Sequence, residues 1–319
     1  MRDWGRAAPV VCAVALLVSA CGGEPAAGAA QPSGDVTMVV PFAAGGGSDI
    51  AGRAMARGLE VAAPGVRISV DNRDGGAGAV GYSYFLAKQG SPDHLLATET
   101  SLVSLPLSQD VAFSYRSFTP VIKIGEDYTL LVARPDSPMN TCAEAVARSR
   151  QQRVLAGISG AAGPDAIVFE LMHRRAGADF DKVPYESGGE TLAGLLGGQV
   201  DLASLNPSEV IGQLEAGELK ALCVFADSRY EYPELSGIPT AAEQGVDVSF
   251  AQFRGAIAPG GLNPQAREFW LRAARSYAAS PAYAEYVRSE YLQPKVAFGD
   301  EFAEYLRAND ALVAEVVRR

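Results

Sequence analysis

Short apolar strands alternate with helical segments along most of this chain, and this alternation constrains the fold more than any other feature. In the first unit, residues 36–40 form an apolar strand, Pro41 ends it because proline lacks an amide donor, and a helix follows. Strand–turn–helix units of this kind recur until residue 258, and the chain then closes with helical segments. Regular alternation predicts an α/β fold whose sheets are mostly parallel and flanked by helices.

Composition, periodicity and turn residues place the individual elements. The predicted strands are residues 36–40, 66–71, 94–98, 118–124, 128–134, 154–158, 182–185, 202–205, 219–225 and 248–258. After the first helix, which passes Leu59, the predicted helices are residues 76–88, 142–150, 164–175, 190–196, 207–217, 264–279, 281–291 and 299–317.

A glycine loop links the first strand to the first helix. Gly45, Gly46 and Gly47 allow a ligand to approach the backbone closely, and Ser48 or Asp49 is predicted to cap the helix. A helix N-terminus offers free amides and a partial positive charge, so the segment is either an anion-binding loop or an ordinary turn. No lysine follows Gly47, which excludes a phosphate-binding Walker loop, and Asp49 would repel a polyphosphate. A small anion fits better.

The N-terminus predicts export. Two arginines precede an apolar run, and residues 1–20 are interpreted as a lipoprotein signal peptide that ends before Cys21, the predicted lipidation site. Residues 21–35 form a flexible tether rich in glycine, alanine and proline. The mature protein is therefore expected at the outer face of the cytoplasmic membrane or in the periplasm. A plain secretory signal with an incidental cysteine remains the alternative.

Charge and cysteine content narrow the partners and the compartment. The formal net charge is −10 at pH 7, which argues against nucleic acid and anionic lipid as partners. Cys142 and Cys223 remain after signal cleavage, and outside the cytoplasm such a pair predicts a disulfide, with free buried thiols as the alternative.

Enzymatic interpretations find little support in the residues. Residues 76–81 match a dinucleotide-binding glycine pattern, but extra residues separate them from the preceding strand. Ser159 lies in a sequence one residue away from a nucleophile elbow, yet His94 and His173, the only histidines, are poorly placed to act as its base. No Cys, His and carboxylate spacing predicts a metal site. We expect no enzyme, no cofactor and no metal; a serine hydrolase is the least favoured alternative.

Several motifs together resemble the substrate-binding receptors of tripartite tricarboxylate transporters, the Bug-type proteins. They are residues 39–49 (VVPFAAGGGSD), 71–78 (DNRDGGAG), 183–185 (VPY), 188–189 (GG), 195–201 (LLGGQVD), 238–245 (IPTAAEQG) and 255–260 (GAIAPG). The resemblance implies a two-domain, periplasmic-binding-protein-like clamshell. Residues 36–124 and 249–319 would form domain 1 and residues 125–248 domain 2, with crossings near Gly125 and Val248.

The resemblance also implies a ligand, a site and a partner. A small carboxylate would lie between the domains, and a monomeric receptor would deliver it to membrane permease subunits; presentation to a membrane sensor is the alternative. The ligand-binding residues would be Phe42, Ala43, Gly45, Gly46, Gly47, Ser48, Asp49, Thr100, Ser101, Ser159, Gly160, Gly163, Tyr185, Ser187, Gly188 and Gly189.

For five residues the sequence leaves two roles open. Asp49 would recognise an ammonium or hydroxyl group of the ligand, or cap its own helix. The hydroxyls of Thr100, Ser101 and Ser159 would contact the ligand or make local turn bonds. Arg254 would pair with a distal carboxylate of the ligand, or form a salt bridge at the surface.

Overall fold

Two mixed β-sheets, each flanked by helices, make up the fold in this computed structural model. The structure describes residues 31–159, 163–185 and 187–317, together with Met1. The predicted signal peptide, the lipidation site Cys21, most of the tether and Gly160 lie outside the described residues.

The elements alternate as the sequence predicts. The strands are β1 Asp35–Val40, β2 Arg67–Asn72, β3 His94–Thr98, β4 Phe118–Tyr128, β5 Leu130–Ala133, β6 Leu155–Ser159, β7 Asp181–Tyr185, β8 Leu202–Leu205, β9 Lys220–Val224, β10 Ala251–Pro259 and β11 Ala297–Phe298. The helices are α1 Gly47–Ala62, α2 Ala79–Leu86, α3 Ser101–Ser108, α4 Cys142–Ser149, α5 Pro164–Ala176, α6 Gly188–Leu196, α7 Pro207–Glu215, α8 Pro264–Ala278, α9 Pro281–Ser289 and α10 Gly299–Val317.

Each sheet has a parallel part and an antiparallel insertion. In the first lobe the strand order is β11-β4-β10-β3-β1-β2; β1 runs parallel to β2 and β3, whereas β10 runs antiparallel between β3 and β4. In the second lobe the order is β7-β6-β8-β5-β9; β6 runs parallel to β7 and β8, and β5 is antiparallel to β8 and β9. The predicted two-lobed α/β class, with mixed sheets flanked by helices, is therefore confirmed.

The chain passes from one sheet to the other at two places. β4 ends at Tyr128 in the first sheet and β5 begins at Leu130 in the second, so Thr129 is the first link. The return lies between β9 and β10, in residues 225–250. Gly125, near which we expected the first crossing, lies inside β4 and pairs with Arg254. A Cβ at Gly125 would lie 2.8 Å from the carbonyl oxygen of Gln293. The glycine therefore allows the backbone at Gln293 to pack closely against β4.

Helix α10 connects the two lobes. It packs against α3 and β4 of the first lobe, and also against α5 of the second. Arg174 of α5 donates to the carbonyl oxygens of Glu315 and Val316, at 2.6 and 3.0 Å, where the C-terminal end of α10 leaves carbonyls unpaired. One buried apolar cluster accordingly includes residues of both lobes, such as Phe302 and Val168.

Two local expectations need correction. Neither Ser48 nor Asp49 caps α1; the N-cap is Gly46, which has no side-chain capping bond. Helix α3 follows β3 directly where we expected only a loop, because its residues Leu102, Val103 and Leu105 bury completely in the core despite Pro106.

The two cysteines are joined. Cys142 begins α4 and Cys223 lies on β9, and their sulfur atoms are 2.00 Å apart. Both side chains are fully buried, so the bond ties a helix of the second lobe to its edge strand.

Candidate functional site

The candidate site comprises residues at the carboxyl ends of the parallel strands of both sheets. In the first lobe these ends lead to the glycine loop after β1 and to Glu99 after β3. In the second lobe they lead into the N-termini of α5, α6 and α7. The charge of Arg254, on β10 of the first lobe, lowers the pKa of Glu209 on α7, although burial dominates and leaves that pKa raised. The two edges are therefore close enough for a charge on one to act on the other.

The glycine loop presents backbone amides to solvent. Gly45, Gly46 and Gly47 are exposed, and Gly45 has φ of 88°, a left-handed conformation that favours glycine. The amides of Asp49 and Ile50 donate to the carbonyl oxygen of Gly46, at 2.9 and 3.0 Å. Within the described residues, the amides of Gly46, Gly47 and Ser48 have no acceptor. This is the arrangement that binds anions at a helix N-terminus.

A buried carboxylate holds the loop in shape from behind. Asp49 accepts hydrogen bonds from the amide of Gly45, Nε of Arg53 and Nδ2 of Asn72, each at 2.9 Å. Burial alone would raise the pKa of Asp49, but these bonds outweigh it and leave the pKa lowered. Asn72 Nδ2 also donates to the carbonyl oxygen of Phe42 at 3.0 Å. All these partners of Asp49 belong to the first lobe, so this carboxylate organises the loop.

The side chains before the glycines form one wall of the loop. Phe42 is half-buried and packs against Gly78, where a Cβ would lie 3.2 Å from its ring. Ala43 is exposed beside it. The turn after β2 therefore supports the loop after β1.

Arg254 lies at the base of the glycine loop in a buried polar cluster. Its Nε and Nη2 donate to Oδ2 of Asp127 at 3.2 and 3.0 Å, and its Nη1 donates to Oγ of Ser48 at 3.3 Å. A Cβ at Gly47 would lie 3.2 Å from Nη2. Arg254 is only 9% exposed, so the salt bridge that we expected at the surface is in fact buried. Burial raises the pKa of Asp127, although Arg254 lowers it.

The residues after β3 are largely occupied within the first lobe. Oε1 of Glu99 accepts from the amide of Ser101 at 3.1 Å, and Oε2 accepts from Nε2 of Gln252 at 2.9 Å. Oγ of Ser101 lies 3.2 Å from the hydroxyl of Tyr82. Oγ1 of Thr100 is buried and has no hydrogen-bond partner among the described residues. Of the two predicted hydroxyls, only that of Thr100 is uncommitted.

In the second lobe, Ser159 contacts a carboxylate of its own chain. Its Oγ donates to Oδ2 of Asp165 at 2.9 Å, and its amide donates to the same oxygen. Oδ1 of Asp165 accepts from the amide of Ala166 at 2.9 Å. Gly163 is the N-cap of α5, so Asp165 lies in the first turn of that helix.

The other predicted residues of the second lobe surround the N-terminus of α6. Oγ of Ser187 accepts from the amide of Glu190 at 3.2 Å and caps the helix. Gly188, half-buried, lies against the carboxylate of Glu209, and Gly189 is exposed. The hydroxyl of Tyr185 donates to Oε1 of Gln199 at 3.2 Å and its ring packs on Gly194, both within the same lobe.

The described residues contain no triad around Ser159. Nδ1 of His94 lies 3.0 Å from Oγ of Ser91, and Nδ1 of His173 lies 2.7 Å from the carbonyl oxygen of Ala178. Neither imidazole contacts Ser159. In the part of the chain that is described, no three or more His, Cys, Asp and Glu residues are placed to hold a metal ion. None of the described helices is both long and apolar enough to cross a membrane.

Four contributors to the site escaped the sequence analysis in whole or in part. Asn72 and Asp127 each lie at or near the end of a strand. Glu209 lies in the first turn of α7, the helix that follows β8. Asp165 lies in the first turn of α5, a helix that the sequence predicts without assigning this residue a role in the site. A polar residue at the last position of a parallel strand is the sequence signal that would have found Asn72. Asp127 lies near the end of an antiparallel strand, so this signal does not apply to it.

Comparison with known proteins finds relatives that match nearly the whole chain. A family model described as tripartite tricarboxylate transporter family receptor matches residues 53–312. Protein BugT of Bordetella pertussis (strain Tohama I) is 24% identical over 318 residues, which cover 97% of this chain and 96% of that protein.

Solved structures agree with the fold. An R. palustris protein, Rpa4515 with adipate, is 25% identical, covers 90% of this chain and 98% of its own, and has a TM-score of 0.79. MatC from Rhodopseudomonas palustris with bound malate is 21% identical, covers 89% and 99%, and has a TM-score of 0.73.

Proposed function

Since this chain belongs to the tripartite tricarboxylate transporter receptor family, we propose that it captures a small carboxylate between its two lobes and delivers it to membrane permease subunits. The chain is a solute-binding receptor of the Bug type. The proposal adds the ligand class, the place of binding and the transporter partner.

The free amides of the glycine loop carry the proposal. The N–H groups of Gly46, Gly47 and Ser48 have no acceptor among the described residues at the start of α1, a helix of 16 residues. A carboxylate there would accept two or more backbone hydrogen bonds and would lie in the positive end of the helix dipole. Arg254 lies directly behind Gly47 and adds a positive charge to this end of the cleft.

Relatives support the ligand class and the compartment. Two similar structures are described with adipate and with malate, both of which are carboxylates. A family of transporter receptors implies export, which fits the signal peptide, lipid attachment at Cys21 and tether that we inferred for residues 1–35. Anchoring would hold the receptor close to the permease and raise its effective concentration there.

Ligand binding would close the clamshell. A ligand on the glycine loop reaches the second lobe only when the lobes approach one another, so it binds the closed form better than the open form. The links at Thr129 and within residues 225–250 are the two segments where the chain passes between sheets and where such a motion would be accommodated.

Thermal unfolding with and without candidate ligands tests the proposal. The mature protein should be titrated with mono-, di- and tricarboxylates and with their neutral amides. A true ligand at 100 times its Kd should stabilise the folded state by about 2.7 kcal/mol. For a chain of this size that corresponds to roughly 5 °C in Tm. Amides should give no shift.

Two results decide the outcome. If no carboxylate raises Tm or gives heat in calorimetry, the proposed ligand class is wrong. If a carboxylate binds but the lipidated receptor does not drive its uptake with reconstituted permease subunits, the transport output is wrong and presentation to a sensor takes its place.

A further inference from the structure

Each of the two helix starts that adjoin the predicted ligand residues of the second lobe, those of α5 and α6, lies beside a carboxylate of the protein. Asp165 occupies the start of α5, where it accepts from the hydroxyl and amide of Ser159 and from the amide of Ala166. Its side chain is 1% exposed. An incoming carboxylate would therefore meet the carboxylate of Asp165 at the start of α5, where it would otherwise find free amides.

Glu209 occupies the neighbouring helix in the same way. Its Oε2 accepts from the amide of Asn206 at 2.9 Å, which fixes the side chain at the start of α7. Its Oε1 lies so close to Gly188, the first residue of α6, that a Cβ there would collide with it. Glu209 as a residue is exposed, but its carboxylate lies between the starts of α6 and α7, which partly desolvates the carboxylate and raises its pKa.

The charges around these two residues are unbalanced. Burial raises the pKa of Glu209, and the negative charges of Asp127 and Asp165 raise it further, whereas Arg254 lowers it. Glu290 has the same pattern, with burial first and Asp127 adding to it. Arg254 thus offsets only part of the negative charge that acts on Glu209, so a second anionic group beside Glu209 would be repelled.

A missing hydrogen-bond donor provides independent evidence for a ligand group. Oδ1 of Asp127 is buried and has no partner in the described chain, although Oδ2 of the same carboxylate accepts two bonds from Arg254. Asp127 is 4% exposed and lies beside Arg254 at the base of the glycine loop, and its charge also acts on Glu209 and Glu290. Buried carboxylate oxygens without donors are costly, and a donor on the ligand would relieve that cost.

We propose that the second-lobe end of the cleft takes an ammonium group of the ligand and not a second carboxylate. The ligand class is then a small amino monocarboxylate, with its carboxylate on the glycine loop and its ammonium group facing Glu209. An ammonium group forms charge-assisted bonds with carboxylates, which are stronger than those of a neutral hydroxyl. This inference rests on the proposed function, because it assumes that the glycine loop binds the carboxylate.

Calorimetry with matched ligands tests the inference. Unbranched ω-amino acids of three to six carbons are compared with the dicarboxylates and ω-hydroxy acids of the same carbon number. The best amino acid should bind on the order of tenfold tighter than its matched dicarboxylate, with the hydroxy acid in between.

A charge-neutral variant shows whether Glu209 sets this preference. Glu209→Gln keeps an oxygen for the amide of Asn206, so the helix start should survive, but it should remove most of the preference for the amino acid. Glu215→Gln makes the same change at the other end of α7 and should leave the preference intact.

Failure of this inference is distinguishable from failure of the proposed function. Tighter binding of a dicarboxylate than of every amino acid, or an unchanged preference in Glu209→Gln, overturns the inference but leaves the carboxylate receptor standing. Binding of no carboxylate in the whole panel overturns both.

Discussion

Replacing Arg254 with methionine should destabilise the protein strongly, because the change leaves a buried carboxylate without its cation. The side chains of Arg254 and Asp127 are 11% and 6% exposed and their closest atoms are 3.0 Å apart. Removing one partner of a buried ion pair costs about 3–5 kcal/mol, since the remaining charge stays desolvated. Methionine fills most of the volume, so lost packing should contribute little.

Urea unfolding at pH 7 measures this loss. The double variant Arg254→Met/Asp127→Asn should recover most of it, because no unpaired charge then remains. Arg272→Met is the matched control: it removes an arginine from an exposed pair with Glu268, at 3.8 Å, and should change stability by no more than about 0.5 kcal/mol.

Acidity should reduce the loss in the single variant. Burial raises the pKa of Asp127 even when Arg254 is present, and removing that cation raises it further. A carboxyl whose pKa is higher in the folded than in the unfolded state stabilises the folded state fully at pH values below its unfolded pKa. This stabilisation is lost as the pH rises through the folded-state pKa. The deficit should therefore be largest near neutral pH and should shrink as the pH falls toward the unfolded pKa of an aspartate, about 3.9. A loss under about 1 kcal/mol at pH 7, or no recovery in the double variant, would refute the reasoning.

Three further perturbations follow from the structure. The disulfide closes a loop of 81 residues, so the variant Cys142→Ala/Cys223→Ala should lose roughly 4.5 kcal/mol of unfolding free energy in urea; a loss near zero would contradict this expectation. Gly46→Val should abolish carboxylate binding in calorimetry yet keep Tm within a few degrees, because its nearest neighbour would be a carbonyl oxygen 3.8 Å away; normal binding would show that the glycine loop is not the site. Asn72→Ala removes the bonds to Asp49 and the loop backbone and should cost about 1–3 kcal/mol and weaken binding; unchanged affinity would mean that the loop holds its shape without them.

Much of the architecture is local and was predictable. Strand–turn–helix alternation depends on residue periodicity and turn chemistry within short windows, so most elements agree with the sequence to within a few residues. The errors arose where tertiary packing overrides local preference. Helix α3 tolerates Pro106 because its apolar side chains are buried, and β4 runs past Gly125 because β10 pairs with it as far as Tyr128.

The candidate site was likewise predictable only in part. Its glycine loop is a contiguous motif, and a strand, three glycines and a helix start can be recognised in the sequence alone. Asp49 illustrates the limit: the sequence left ligand recognition and capping open, whereas the structure gives it the amide of Gly45 and the side chains of Arg53 and Asn72. Which donors reach a carboxylate depends on how β2 lies beside α1.

By itself, the sequence determined the α/β class, the family resemblance, the glycine loop and the pair of cysteines, because each depends on residues that are close together or on composition. Only the tertiary structure decided that Arg254 is buried against Asp127 and that the carboxylate of Glu209 lies against Gly188 at the start of α6. Those contacts join residues of different elements, and strand register together with helix packing sets their distances. The charge that the cleft offers a ligand is therefore a property of the folded chain.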